Sequence, residues 1–313
     1  MSTGRLAPSP TGHLHLGHAR SFLLAWWHAR SRGGRLVLRL EDLDVERVKP
    51  GMLEATLSDL EWLGLDWDGA PVVQSAHTEA FEAAVATLLA RGLAYPCVCT
   101  RKEISEAQSA PHLGQEKGRY PGTCRGRYAS LEEARARSGR EPAVRLVVEP
   151  GPVELVDEFC GPFTADVAAE VGDFPIARRA GAPAYQLAVV VDDARGGIDE
   201  VVRGDDLLSS AARQWLLQRA LGLPHPRWWH VPLVTDAAGR RLAKRSDALS
   251  LAELRARGVE ARAVVSWVAR QSGLAGEARE PRSACDFLAG FRIDRVPRTP
   301  VLCTPAHLAE LGL

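Results

Sequence analysis

The chain has 313 residues, 46% of them hydrophobic and 25% charged, enough for one large core or two modest ones. Lys+Arg and Asp+Glu balance at 39 each, which excludes a global attraction to nucleic acid and leaves any RNA contact to local basic patches. Six cysteines are too few for a secreted disulfide framework, and the longest early apolar run, Phe22 to Trp27, is too short for a membrane span or signal core. A cytoplasmic protein with no membrane association is expected.

Gly4-Arg5-Leu6 reads as a short strand, followed by a tight turn, Ala7-Pro8-Ser9-Pro10-Thr11-Gly12, that leads to His13, His15 and His18. Phe22, Leu23, Trp26 and Trp27 recur at helical spacing, which predicts a helix from Ala19 to about Arg30, stopped by Gly33-Gly34. Strand, turn and helix in this order make a nucleotide phosphate site. Open N–H groups and the dipole at the helix start attract anionic oxygens, Gly17 lets a ligand approach the backbone, and two imidazoles three residues apart can reach one phosphate.

Arg35 to Leu40 alternates like a strand and delivers Glu41-Asp42-Leu43-Asp44 at its carboxyl end, where open parallel sheets gather ligands. Helices are predicted from Pro50 to Leu63, with Leu53, Leu57 and Leu60 on one face, and from Thr78 to Arg91, capped by Gly92. From Tyr95 to about Gly181 the chain is rich in Gly, Pro and Arg with short strand-like pieces such as Val144 to Val148, and it reads as an insertion. The continuous apolar run Tyr185 to Asp193 suits a strand buried on both faces, Glu200 to Asp206 a strand feeding a helix from Leu207 to Leu221, and His230 to Val234 a last strand. Leu251 to Leu274 looks helical. The alternation implies an α/β fold with a doubly wound parallel sheet. Its organisation is a first half in residues 1–93, an insertion in 94–182, a second half in 183–238 and a basic loop with a short helical C-terminal region in 239–313.

Cys97-x-Cys99 followed by Tyr120-Pro-Gly-Thr-Cys124 presents three thiols on two turns, a spacing suited to a tetrahedral, structural Zn²⁺. Tyr120 is the expected fourth ligand and His112 the alternative. Lys117, Arg119, Arg125 and Arg127 surround it, and such a knob could contact tRNA phosphates.

The stretch Arg5-Leu-Ala-Pro-Ser-Pro-Thr-Gly-His-Leu-His-Leu-Gly-His18 resembles the His-Ile-Gly-His signature of class I aminoacyl-tRNA synthetases in the form used by the glutamyl branch. Gly239-Arg-Arg-Leu-Ala-Lys-Arg245 matches in position the Lys-Met-Ser-Lys-Ser loop that closes over ATP, with Arg241 for the first lysine, Ala243 for the serine and Arg245 in the last place. Arginine keeps the charge without the compact ammonium geometry, so Lys244 is the candidate to stabilise charge as pyrophosphate leaves. A substrate with two carboxylates and an ammonium needs fixed cations and one carboxylate, and Arg5, Arg203, Tyr185 and Glu41 fit.

The resemblance implies that Arg5, Ala7, Ser9, Glu41, Tyr185 and Arg203 bind glutamate, with Glu41 on the α-amino group. It implies that Pro8, His15, Gly17, His18, Arg241 and Lys244 bind ATP, with His15, His18 and Lys244 as the catalytic residues. Only residues 246–313 follow the basic loop, where a full glutamyl-tRNA synthetase carries a large helical anticodon-binding region. Together with the Cys-x-Cys and Tyr-x-x-x-Cys pattern, this makes the chain similar to the glutamyl-Q tRNA(Asp) synthetases. Members of that family use ATP and Mg²⁺ to activate L-glutamate and transfer it to queuosine in tRNA(Asp). A monomer is expected. The competing readings are a truncated glutamyl-tRNA synthetase charging a tRNA end and an inactive glutamate- or tRNA-binding paralogue.

Overall fold

The computed structural model describes residues 1–109, 119–236, 239, 242, 250–274 and 282–311. The first half runs β1 (Thr3–Leu6), α1 (Leu16–Arg30), β2 (Arg35–Leu40), α2 (Met52–Trp62), β3 (Val72–Val73) and α3 (Thr78–Ala90). Then come β4 (Ala94–Cys97), α4 (Arg101–Ser109), α5 (Leu131–Ser138), β5 (Ala143–Leu146), β6 (Val153–Asp157), β7 (Gly161–Ala165), α6 (Val167–Glu170) and β8 (Pro175–Ala177). The chain continues with α7 (Tyr185–Arg195), β9 (Glu200–Gly204), α8 (Leu208–Leu221), β10 (Arg227–Val231), β11 (Val234–Thr235), α9 (Leu251–Ala256), α10 (Ala261–Gln271), β12 (Val301–Leu302) and α11 (Pro305–Glu310).

Strands β1, β2 and β3 pair in parallel, with Arg5 opposite Val37 and Arg39 opposite Val72. Strands β9, β10 and β6 form a second parallel set, with His230 opposite Arg203, and β7 closes its edge antiparallel to β6. The two sheets meet beside β1, where the Asp199 N–H donates to the Thr3 carbonyl at 3.1 Å. The chain order reverses at this junction, so a crevice opens at the carboxyl ends of β1 and β9. Strands β4, β5 and β8 make a separate antiparallel sheet that carries the cysteine cluster.

Helix α1 packs against the sheet through Leu16, Leu23, Leu24 and Trp27, all fully buried, and the Trp27 indole donates to the Ala284 carbonyl at 2.8 Å. The C-terminal helices thus cover the outer face of the signature helix. Among the described residues no helix is long and apolar enough to cross a membrane.

The predicted strand Tyr185 to Asp193 is instead α7. It is buried without a break from Gln186 to Asp193, and Gln186 bonds Ser210 and Gln214 of α8 at 3.1 and 3.0 Å. A helix enclosed on all sides shows the same unbroken apolar run as a buried strand, and packing overrides the strand preference of its three valines. The predicted last strand begins earlier and ends at Val231, because Pro232 cannot donate to the ladder. The predicted helix Leu251 to Leu274 is two helices, α9 and α10, separated by a turn at Gly258.

Glu200 on β9 is buried among His28, at 3.2 Å, and the guanidinium groups of Arg32 and Arg227. Burial alone would raise its carboxyl, but the hydrogen bonds and charges of His28 and Arg32 outweigh it and bring the pKa down to about 2. Because that value lies below the unfolded one of about 4.3, the contribution is fully present above pH 4.3 and is lost as pH falls toward 2. In urea unfolding, wild type is expected to exceed Glu200→Gln by on the order of 3 kcal/mol near neutrality, with the gap closing between pH 4.5 and 2.

Candidate active site

The turn after β1 is tied to the end of β2, since the Glu41 N–H donates to the Pro8 carbonyl at 2.9 Å and Ser9 Oγ lies 3.5 Å from Glu41 Oε2. His15 is the N-cap of α1: its Nδ1 accepts from the Gly17 N–H at 3.1 Å, while His18 Nδ1 accepts from the His15 N–H at 3.3 Å. Two histidines form the reciprocal cap usually made by Ser and Glu. With Nδ1 accepting, each neutral ring carries its proton on Nε2 as a donor. The rings stack at 3.8 Å between centroids, and both line the cleft. Gly17 is not among the cleft-lining residues, and its bare Cα makes room for His15: a Cβ there would sit 3.0 Å from His15 Cε1.

The cleft encloses about 720 Å³ and brings together Arg5, Ala7, Pro8, Ser9, His15 and His18. Glu41, Tyr185 and Arg203 join them from the ends of β2, α7 and β9. Gly204 also faces it, and a Cβ there would collide with the Leu233 side chain at 2.6 Å.

Three arginines are buried here, and their compensation differs. Arg39 on β2 is held by Asp193 of α7 and by Glu41 at 3.0 Å, and although burial lowers its pKa and its Nε has no hydrogen-bond partner among the described residues, those carboxylates raise it above the ordinary value. Arg5 donates Nη1 to the Val202 carbonyl at 3.2 Å and lies 3.9 Å from Asp193, but its Nε has no hydrogen-bond partner among the described residues. Arg203 donates Nε to His230 at 2.8 Å and Nη2 to the Leu207 carbonyl at 3.4 Å, while its Nη1 has no partner among the described residues. Burial lowers the pKa of both Arg5 and Arg203, a direction their nearby carboxylates do not reverse. Guanidinium groups stay protonated, so the imbalance makes this end of the cleft a receptor for anionic oxygen.

Arg39 was legible only as part of an alternating strand, yet it holds Glu41 in place. A charged residue in a strand flanked by Leu38 and Leu40, inside a parallel sheet, was the available signal. Arg47 and Arg178 on the cleft rim, each within 4 Å of Asp44 at 3.7 and 3.8 Å, were also missed.

Arg241, Ala243, Lys244 and Arg245 lie outside the described residues, but the flanks of their loop are placed. Leu242 lines the cleft and its N–H donates to Val234 O at 3.3 Å. Ser250 bridges to His15, and the Leu251 N–H donates to the Leu14 carbonyl at 2.7 Å. The described residues on the C-terminal side of the loop thus pair with the signature turn, while Leu242 pairs with β11 at the wall of the same cleft.

In the cysteine cluster, the Sγ atoms of Cys97, Cys99 and Cys124 lie within 4.8 Å of one another. Cys99 Sγ is 3.4 Å from Cys124 Sγ, and Tyr120 Oη is 3.3 Å from Cys97 Sγ and 3.6 Å from Cys99 Sγ. Tetrahedral zinc with three sulfurs and one oxygen requires donor separations of about 3.5–3.8 Å, so the four atoms fit a metal with small adjustment. Arg145 donates Nε to Cys97 Sγ at 3.2 Å, which favours thiolate there. His112 and Lys117 lie outside the described residues. Of the other predicted basic residues, Arg119 donates to the Ala168 carbonyl at 2.8 Å, Arg125 pairs with Glu149 at 2.6 Å, and Arg127 lies over the Tyr128 ring at 5.7 Å.

The contrast among the arginines is testable in ligand-free protein. Arg39→Met removes the ion-pair partner of Glu41 and leaves Asp193 only the 3.9 Å contact to Arg5, and is expected to cost about 3–5 kcal/mol in urea unfolding, whereas Arg5→Met, which leaves both carboxylates on Arg39, is expected to stay within about 1 kcal/mol of wild type.

The family model for the catalytic domain of class I tRNA synthetases (E and Q) matches residues 2–308. A glutamyl-Q tRNA(Asp) synthetase of Symbiobacterium thermophilum is 44% identical over all of this chain and 99% of its own length. One of Nocardia farcinica is 46% identical over 98% of this chain and 94% of its own. Among solved structures, a glutamate tRNA ligase from Elizabethkingia meningosepticum, in complex with its amino acid, superposes with a TM-score of 0.82 at 25% identity, over 98% of this chain and 68% of that one. The sheet junction, the histidine-capped helix and matches along nearly the whole length agree: the chain belongs to the class I tRNA synthetase (E and Q) family, among the glutamyl-Q tRNA(Asp) synthetases.

Proposed function

We propose that this cleft activates L-glutamate with ATP and that the chain transfers the glutamyl group to the queuosine base at the wobble position of tRNA(Asp). The observation that carries the reading is the pair of buried, under-compensated guanidinium groups of Arg5 and Arg203 beside Glu41, in one cleft with His15 and His18. Two cations and a carboxylate are the complement of a dicarboxylic α-amino acid. Ala7, Ser9 and Tyr185 complete the glutamate site, and Pro8, Arg241 and Lys244 the ATP site, with Gly17 acting there only through the room it leaves for His15.

One glutamate carboxylate oxygen attacks the α-phosphorus of ATP, and the bond to the departing pyrophosphate breaks. His15 and His18 donate Nε2–H to phosphate oxygens at the positive end of α1, and Lys244 adds a fixed cation as charge builds. Mg²⁺ entering with ATP would supply further charge neutralisation on the phosphates. A hydroxyl of the queuosine cyclopentene ring then attacks the mixed anhydride, forming the ester and releasing AMP. No side-chain nucleophile takes part, so positioning and electrostatics supply the acceleration. Zinc on Cys97, Cys99, Cys124 and Tyr120 would crosslink the insertion. The protein acts in the cytoplasm as a monomer.

Pyrophosphate exchange that depends on glutamate but not on tRNA is expected, with glutamate transfer to queuosine-containing tRNA(Asp) and none to queuosine-free tRNA(Asp) or to tRNA(Glu). Charging of tRNA(Glu) would instead support a truncated glutamyl-tRNA synthetase, and absence of exchange an inactive binder. Lys244→Ala is expected to lower the exchange rate about 100- to 1,000-fold with glutamate affinity within about twofold. Elemental analysis is expected to give one zinc per chain, and Cys99→Ser to lose most of it.

A further inference from the structure

Arg203 does not stand alone behind the cleft. His230, on the neighbouring strand β10 and directly opposite it in register, is fully buried, and its Nε2 accepts the Arg203 Nε–H at 2.8 Å. Its Nδ1 lies 2.6 Å from Asp157 Oδ2 at the end of β6. Since Nε2 accepts from a guanidinium, Nδ1 carries the proton and donates to Asp157. Burial keeps His230 below the ordinary histidine range, consistent with a neutral ring.

Asp157 is immobilised in turn. Its Oδ1 accepts the backbone N–H groups of Phe159 at 3.0 Å and Cys160 at 2.7 Å, in the turn that joins β6 to β7, and that of His230 on β10 at 3.2 Å. A side chain bonded to its own turn has little freedom left. The chain from turn to carboxylate to imidazole to guanidinium is thus rigid along its length.

We propose that Asp157 and His230 are positioning residues for glutamate recognition: they fix the Arg203 guanidinium by its Nε edge, with Nη2 on the Leu207 carbonyl at 3.4 Å, and hold the unpartnered Nη1 toward the substrate carboxylate. A neutral acceptor suits this place because it holds the guanidinium without neutralising it. A carboxylate at position 230 would compensate Arg203 as Asp193 and Glu41 compensate Arg39, and would weaken its attraction for substrate. The proposal rests on Arg203 as a substrate-carboxylate site.

The test is glutamate-dependent pyrophosphate exchange in the full chain, with separate KM values for glutamate and ATP, beside thermal unfolding. His230→Asn keeps a donor toward Asp157 but loses the acceptor for Arg203, and is expected to raise the glutamate KM about 30-fold with the ATP KM within twofold. His230→Gln places an acceptor near the Nε2 position and is expected to restore the glutamate KM to within about fivefold of wild type. Asp157→Asn keeps the turn but presents an N–H to Nδ1, which drives the ring proton to Nε2 against Arg203; a glutamate KM raised at least tenfold is expected there too. If His230→Asn does not fold, Asp157→Asn and His230→Gln decide the matter. Glutamate KM values within twofold of wild type in both His230→Asn and Asp157→Asn, or a parallel rise of both KM values with a lowered Tm, overturn the proposal. Failure of wild type to exchange with glutamate would instead strike the functional reading itself.

Discussion

The organisation of this molecule depends on how charge is compensated where β1, β2 and β9 converge. Three arginines are withdrawn from water within one sheet junction, an arrangement that costs several kcal/mol for each ion left without a partner. Arg39 is matched by Asp193 and Glu41 and so locks α7 to the sheet. Arg5 and Arg203 are anchored by backbone carbonyls and an imidazole, and the carboxylate nearest Arg5, Asp193 at 3.9 Å, is already engaged by Arg39. The first solution gives a rigid floor; the second leaves an electrostatic deficit suited to the dicarboxylic substrate proposed for the cleft.

The same junction explains why the nucleotide end lies where it does. The turn after β1 must reach from Arg5 to the start of α1, and the Glu41 N–H holds it to the end of β2 at Pro8. Histidine capping then sets two imidazoles at the positive end of a helix whose far side packs through Trp27 on the C-terminal segment. Leu251 is pinned to that turn at Leu14, and Leu242 to Val234 of β11 beside the same cleft. Amino acid and nucleotide sites thus share one short stretch of backbone, which favours reaction between their ligands by proximity.

What the sequence made legible was local. The signature turn, the strand that delivers Glu41, the helices with regular apolar stripes and the closely spaced thiols each carry their signal within a few residues, and their partners are near in the chain. The helix at Tyr185 to Arg195 was misread because its environment, not its pattern, determines its state: enclosed by α8 and the sheet, it has no polar face to betray a helical period. The relay behind Arg203 was invisible for another reason. Asp157, Arg203 and His230 come from three strands and meet only through sheet order, so no spacing along the chain marks them. Arg39 sits between these cases, since a cation inside an apolar strand signals a buried partner without naming it.

The central claim is that Arg5 and Arg203 receive two carboxylates while Glu41 receives the ammonium. Calorimetric titration of the ligand-free protein with L-glutamate and with L-glutamine tests it most directly, because the two differ by one charged oxygen group. Glutamate is expected to bind at least 100-fold more tightly, the separation expected when a buried guanidinium meets an amide in place of a carboxylate. Equal affinity for the two amino acids would contradict the account.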